Sequence, residues 1–224
     1  TYATSHSHTL ANTQGTRTVS VQFKDAAGNM ASAASDTIVL DNVAPGAPSL
    51  ASPADGSSTN DTTPTLDWSD SSGATSYQVQ IDNNSDFSPP FVLASTITNS
   101  NLTAQSMLEG TYYWRIRAGD ESGNWSNYST YRVLTIDTTP PTNNSISIAG
   151  GASYTSSTSV TLSLASTGAS QMRFKNDSGS YGSFVTYATS HSHTLANTQG
   201  TRTVSVQFKD AAGNMASAAS DTIV

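Results

Sequence analysis

Residues 111–118, TYYWRIRA, are the stretch that decides the fold class. The apolar side chains of Tyr112, Trp114, Ile116 and Ala118 occupy every second position, and Tyr and Arg fill the positions between them. Successive side chains of an extended strand point to opposite faces. The stretch therefore predicts a half-buried β-strand. The DESGN that follows at 120–124 is rich in the residues typical of tight turns.

The same alternation recurs in short segments along the rest of the chain, and turn residues separate these segments at intervals typical of antiparallel sandwiches. No window carries a helical stripe of useful length, so the sequence predicts an all-β chain of two-sheet sandwiches. The positions predicted to face a core are Leu66, Trp68, Tyr77, Val79, Ile81, Val160, Leu162, Leu164, Met172, Phe174, Val204, Val206 and Phe208.

Two Asp- and Pro-rich stretches interrupt the strand pattern: DNVAPGAP at 41–48 and DTTPPTNN at 137–144. Proline fixes its own φ and restricts the residue before it, which indicates stiff, extended connectors. They divide the chain into three predicted units, 1–40, 41–138 and 139–224.

Residues 1–39 are identical to residues 186–224, an offset of 185 positions. A period this long is not that of a solenoid, but it fits two sandwich-sized domains. The repeat indicates a window of a tandem array rather than an engineered duplication, with 1–40 as the C-terminal half of a domain. Two interpretations follow for that half. A preceding segment equivalent to 139–185 completes it in the same chain, or a neighbouring chain does so by strand addition.

Two stretches carry a resemblance to the fibronectin type III family: PTLDWSDSSGATSYQVQID at 64–82 and GTYYWRIRAGDESGNWS at 110–126. Residues 42–137 resemble that module, and the resemblance implies a core of Trp68, Tyr77, Tyr112 and Trp114. The stretch TVSVQFKDAAGNMASAASDTIVLD at 18–41 resembles the immunoglobulin-like repeats of large bacterial and archaeal surface proteins, as does 138–224 as a whole. This resemblance implies that 1–40 is the C-terminal half of an immunoglobulin-like repeat and that 139–224 is a complete one. The resemblances imply tandem antiparallel β-sandwiches joined by Asp/Pro-rich linkers, in an extracellular or cell-surface protein.

The composition excludes several classes of partner. Nine basic against 16 acidic side chains give a net charge of −7, which disfavours nucleic acid and anionic membrane surfaces. No apolar run approaches the ~20 residues that span a bilayer, so no membrane insertion is expected in this segment. With no cysteine there is neither a disulfide nor a thiolate metal site. The surface polarity comes instead from 38 Ser and 32 Thr.

No catalytic constellation is recognisable, so the chain is predicted not to be an enzyme. The sequence lacks cysteine nucleophiles and the motifs of serine hydrolases, zinc proteases and P-loop proteins. The acidic residues lie mostly in turns, where an Asp side chain bonds its own backbone.

Two metal sites are candidates, although no cofactor is expected to be required. The D-x-A-G-N turn with Asp210 and Asn214, combined with a connector residue such as Asp41 or Asp137, would supply some of the 6–8 oxygen ligands that calcium prefers. The simpler interpretation is a hairpin turn closed by its own Asp and Asn. His191 and His193 share one face of a strand at a spacing that suits zinc or copper, and packing at a strand end is the simpler interpretation.

Two features of the sequence suit contacts with sugars. The aromatic side chains of Tyr113, Trp125, Tyr128 and Tyr131 form a candidate patch for stacking on glycans. Asparagine glycosylation sequons occur at Asn60, Asn83, Asn101, Asn124, Asn127, Asn143 and Asn176.

The preferred functional hypothesis is a non-catalytic structural repeat of a long extracellular protein, forming a stalk or filament with an adhesive role. Its expected partners are copies of itself and surface glycans. The alternatives are a glycan- or surface-binding adhesion module, and a spacer attached to a secreted hydrolase.

Overall fold

The computed structural model describes residues 3–224, so Thr1 and Tyr2 of the predicted unit 1–40 lie outside the described residues. The predicted all-β fold is confirmed, with one 3₁₀ turn at Ala149–Gly151. The strands are β1 Gly15–Val21, β2 Ala34–Leu40, β3 Leu50–Ser52, β4 Ser57–Thr59, β5 Thr65–Trp68, β6 Ser76–Asp82, β7 Leu93–Ile97, β8 Asn101–Thr103, β9 Gly110–Gly119, β10 Arg132–Ile136, β11 Thr142–Ile148, β12 Ser159–Thr167, β13 Gln171–Asn176, β14 Val185–Thr186, β15 Ser190–Thr194, β16 Arg202–Lys209 and β17 Ala219–Ile223.

Strands β3 to β10 form a first sandwich. One sheet has the order β4-β10-β9-β6-β7 and the other the order β3-β5-β8. The alternation in TYYWRIRA holds, because the side chains of Tyr112, Trp114, Ile116 and Ala118 are all buried between the sheets. Trp68 and Tyr77 meet edge to face there, with ring centroids 5.7 Å apart. The core implied by the fibronectin resemblance is therefore the core observed.

Strands β11 to β17 form a second sandwich, with sheets β11-β12-β15 and β14-β13-β16-β17. Its core joins apolar residues from both halves of the unit. Leu162 and Met172 come from the first half, and Val204, Val206 and Phe208 come from the repeated segment. Phe174, predicted to face the core, packs against the core cluster but is only partly buried, and its ring stacks on His191 at 4.5 Å between centroids.

The two copies of the repeated segment form the same hairpin in different surroundings. Strands β1 and β2 pair with Arg17 opposite Ile38, and β16 and β17 pair with Arg202 opposite Ile223, which is the same register shifted by 185 residues. The strand β15 at Ser190–Thr194 has no counterpart at 5–9, where the identical residues are irregular. β15 forms because β12 lies beside it.

Candidate functional site at the domain junctions

The D-x-x-G-N turn after β16 is closed by its own side chains. The backbone N–H of Asn214 donates to Asp210 Oδ1 at 2.8 Å, and the Asn214 amide Nδ2 donates to Asp210 Oδ2 at 2.9 Å. Gly213 between them has φ +101°, a left-handed conformation that glycine adopts without strain. The turn is therefore specified locally by Asp, Gly and Asn.

The same geometry occurs in two other places. Asn124 donates through its backbone and its amide to Asp120 at 2.8 and 2.9 Å, and Asn29 does so to Asp25 at 2.8 Å for both bonds. The amide of Asn124 lowers the pKa of Asp120, and that of Asn29 lowers the pKa of Asp25, because each bond favours the charged carboxylate.

In two of the three turns, the asparagine amide also binds the connector that enters its own sandwich. Asn214 Nδ2 donates to the backbone oxygen of Asp137 at 2.8 Å, and Asn124 Nδ2 donates to that of Asp41 at 3.2 Å. Each amide thus uses both of its hydrogens, one within the turn and one on the connector. We call these two contacts the connector clamps.

The clamp at Asp137 is reinforced by contacts between the two sandwiches. The backbone N–H of Asn60, next to β4, donates to the oxygen of Ala212 inside the turn at 3.1 Å. The Asn60 side chain also lies 3.7 Å from the position that a Cβ on Gly213 would occupy. The turn residue Asn214 is buried at this junction, at 7% exposure.

A carboxylate supports the same connector from the first sandwich. Glu109 accepts hydrogen bonds from the hydroxyls of Thr138 and Thr139, each at 2.9 Å to Oε2. These bonds, that of Thr138 first, lower the pKa of Glu109, so the carboxylate is charged at neutral pH.

At the junction of Asp41, most of the hydrogen bonds are longer. Ser122 Oγ donates to Asp41 Oδ2 at 3.3 Å, and Gln14 Nε2 reaches Asp41 Oδ1 at 3.2 Å. Asn42 bonds Asn12 at 2.8 Å, which ties the connector to the chain before β1. These groups are exposed, so each bond contributes little against competing water.

The predicted calcium residues are brought together only in part. Asp137, Asp210 and Asn214 meet at one junction, whereas Asp41 lies at the other. Both carboxylate oxygens of Asp210 already accept hydrogen bonds within the turn. Within residues 3–224, no group of three or more His, Cys, Asp or Glu is placed to hold a metal ion. Calcium binding stays a prediction, and the geometry favours the hairpin-turn interpretation.

The predicted histidine pair packs on an aromatic ring. His191 stacks on Phe174, and His193 lies tilted to the same ring at 5.6 Å while its Nε2 contacts Asn176 Oδ1 at 2.8 Å. Burial first, and the nearby His191 second, lower the pKa of His193. A metal at this pair stays a prediction, and packing at a strand end accounts for the contacts seen.

The predicted glycan patch forms a ladder of rings and guanidinium groups. Arg115 lies over the ring of Tyr128 at 4.2 Å, and Arg117 lies over Trp125 at 4.8 Å and over Tyr128 at 5.0 Å. Tyr113 and Tyr131 meet edge to face at 5.4 Å. Cations therefore cover ring faces that a sugar would need, and among these rings Tyr131 is the most open, at 42% exposure.

The sequons differ in accessibility. Asn124 is a clamp residue, and the Asn176 amide donates to the Thr194 oxygen at 2.9 Å, so a glycan on either would break a structural bond. Asn143 has φ +54° and bonds Thr167 at 3.3 Å. Glycosylation stays a prediction, and exposed side chains occur at Asn60, Asn83, Asn101, Asn127 and Asn143.

Comparison with solved structures places the chain by its fold. The fibronectin(III)-like modules of CbhA from Clostridium thermocellum are 15% identical over 79% of this chain and 92% of theirs, with a TM-score of 0.50. The FN1–FN3 domains of chicken CNTN1 are 14% identical over 88% of this chain and 72% of theirs, with a TM-score of 0.51. The fold is thus that of tandem fibronectin III-like sandwiches.

Other comparisons add less. A tetra-tandem repeat from the extending region of a large adhesion protein aligns over 94% of this chain at 20% identity, but its TM-score is 0.34. No protein-family model matches the chain, and no curated protein is significantly similar to it. In the part of the chain that the structure describes, no helix is long and apolar enough to span a membrane.

Proposed function

We propose that the chain is a non-catalytic structural repeat of a long extracellular or cell-surface protein, and that successive sandwiches form a stalk or filament. The observation that carries this proposal is the pair of connector clamps. Both connectors are held by the asparagine of a D-x-x-G-N turn in the sandwich that they enter. A device that recurs at each junction suits a protein whose task is to hold its domains in a regular series.

The clamps act on the connectors, where a chain of sandwiches bends most easily. Proline in the connectors already restricts backbone rotation, and the bonds from Asn124 to Asp41 and from Asn214 to Asp137 fix each connector against a turn of its sandwich. At the second junction, the bond from Asn60 to Ala212 adds a direct link between sandwiches. Bending at the junction must break these bonds together, which favours a limited range of interdomain angles.

The surface and the repeat support the same role. Only 11% of residues are charged, and the hydroxyls of Ser and Thr keep the surface hydrated without a strong field. Val39 and Val224 are the last residues of the two identical copies. When copies of residues 40–224 are joined end to end, Leu40 therefore follows Val224 as it follows Val39 in the native sequence, and both native connectors are kept. One such copy is a full period, and it contains both clamped connectors.

Electron microscopy of a polypeptide of several consecutive copies of residues 40–224 tests the proposal. Two sandwiches with strands of about 25–30 Å, plus connectors, should advance roughly 70–90 Å per period along a narrow particle. Particles that collapse into compact forms, or that show no regular spacing in this range, would contradict a stalk or filament.

A further inference from the structure

The identical hairpins β1–β2 and β16–β17 differ in what covers one of their faces. Val21 in the first copy is 47% exposed, whereas its counterpart Val206 is fully buried. Ile38 is 56% exposed, whereas Ile223 is 1% exposed. Because the sequence and the register of the two hairpins are the same, the difference in exposure comes only from the segment of the polypeptide that packs on the second copy. We call the surface of Val19, Val21, Asp36 and Ile38 the open face.

In the second copy, the corresponding face packs on the segment 139–185. Ile148, Leu162, Leu164 and Met172 from that segment share one core with Val204, Val206 and Ile223. Burying several aliphatic side chains at about 25 cal/mol per Å² is the main driving force for joining the two halves.

Polar bonds fix the position of the segment on the hairpin. Asp221 Oδ2 accepts from the backbone N–H of Ile148 at 2.8 Å. Asp177 forms an ion pair with Arg202 at 3.1 Å and accepts from the backbone N–H of Thr203 at 2.9 Å.

The first copy carries the same polar groups as Asp36, Arg17 and Thr18. The open face therefore presents the apolar and the polar determinants of the contact seen in the second sandwich.

We propose that the open face binds a polypeptide segment with the sequence of residues 139–185, joined directly before residue 1 in the same chain. A second copy of this chain is the weaker occupant, because its own segment 139–185 is already covered by residues 186–224. Exchanging one identical hairpin for another adds no contact and loses translational freedom. The inference rests on the two copies alone, and it holds whether or not the array serves as a stalk.

The absence of cysteine in the sequence makes a single-thiol experiment possible. The full chain carrying Val21→Cys is compared with the same chain preceded by a copy of residues 139–185. The joint between the two then has the same sequence as the joint between Val185 and Thr186. The rate of reaction of the thiol with a small disulfide reagent is measured. Val206→Cys in each chain gives the rate for the buried position.

The expected result is a reaction of Val21→Cys on the order of 100-fold slower in the extended chain, matching Val206→Cys, because a buried thiol reacts only when the structure opens. The matched control carries Leu162→Asp and Leu164→Asp in the added segment only, and it should restore the fast rate. An unchanged rate in the extended chain overturns the proposal. So does protection of the unextended chain that grows with its concentration, since a second copy would then occupy the face.

Calorimetry on the unsubstituted chains gives an independent measurement. The extended chain should gain one further unfolding transition equivalent to that of residues 139–224, since the two units would have the same sequence. Failure to gain that enthalpy overturns the proposal even if the cysteine variants fold poorly.

Discussion

At each of the two clamped junctions, the amide of one asparagine makes two different hydrogen bonds. One hydrogen of Asn214 Nδ2 closes the turn on Asp210, and the other holds the backbone of Asp137, which lies 77 positions earlier in the chain. The first bond follows from the D-x-x-G-N pattern. The second depends on where the connector runs, so local sequence predicts the turn but not the clamp.

Gly119 at the end of β9 is a residue whose size matters. A Cβ at this position would lie 2.9 Å from ring atoms of Trp125, closer than real contacts allow. We predict that Gly119→Ala displaces Trp125 from Arg117 and lowers the free energy of unfolding of the first sandwich by about 1–3 kcal/mol. Urea unfolding, monitored by tryptophan emission, measures the change in the free energy of unfolding. All three tryptophans (Trp68, Trp114 and Trp125) lie in that sandwich.

The matched control is Gly46→Ala, in the first connector, where an added Cβ meets nothing within 4 Å. Its unfolding free energy should stay close to that of the unchanged chain. Equal effects of the two substitutions would show that the contact with Trp125 is not the cause.

At the level of strands, local pattern and long-range pairing contribute differently. The hairpin of β16 and β17 has the same register in the first copy, where no second sheet covers it within residues 3–224, so its register follows from its own turn and alternation. The strand β15 forms only beside β12. Alternation therefore predicted the sandwich strands well, and it could not predict which strand would need a partner.

The candidate site shows the same limit. Asp137, Asp210 and Asn214 stand out in the sequence as turn and connector residues, but as calcium candidates rather than as a clamp. The junction roles of Glu109 and Asn60 were missed, because these roles depend on how the two sandwiches face each other. The only sequence signal was a lone Glu before β9, and it has no spacing pattern.

We expect the second sandwich to be sensitive to acid through His193 on β15. Burial lowers the pKa of His193, so the unfolded chain binds a proton more readily than the folded one. The contribution of neutral, buried His193 to the free energy of unfolding is fully present above the ordinary histidine pKa of about 6.5. It is lost as the pH falls from there through the pKa of the folded state. We predict that the second sandwich melts at a lower temperature at pH 5.5 than at pH 7.5.

Calorimetry of the full chain measures this change, and His193→Gln is the matched variant because its side chain can still reach Asn176. The substitution should reduce the difference between the two pH values. An unchanged difference would assign the acid sensitivity to other groups.

For the whole molecule, the question is whether the clamps set the orientation of the domains. The same substitution can be made at the same sequence in two settings, because Asn29 and Asn214 occupy identical turns. Asn29→Ala removes the bond from its amide to Asp25, whereas Asn214→Ala removes the bond from its amide to Asp210 and also the bond to Asp137. Any effect on orientation that appears only in the second variant comes from the junction.

We predict that the two sandwiches tumble as one body in the unchanged chain and in Asn29→Ala, and reorient independently in Asn214→Ala. Residual dipolar couplings measure this, because a rigid pair shares one alignment tensor. The clamp bond is partly buried, so its loss should also cost about 1 kcal/mol. If Asn214→Ala keeps a shared tensor, the Asn60–Ala212 bond and the threonine contacts of Glu109 hold the junction by themselves. The stiffness of the proposed filament would then depend on these residues of the first sandwich rather than on the asparagine of the repeated turn.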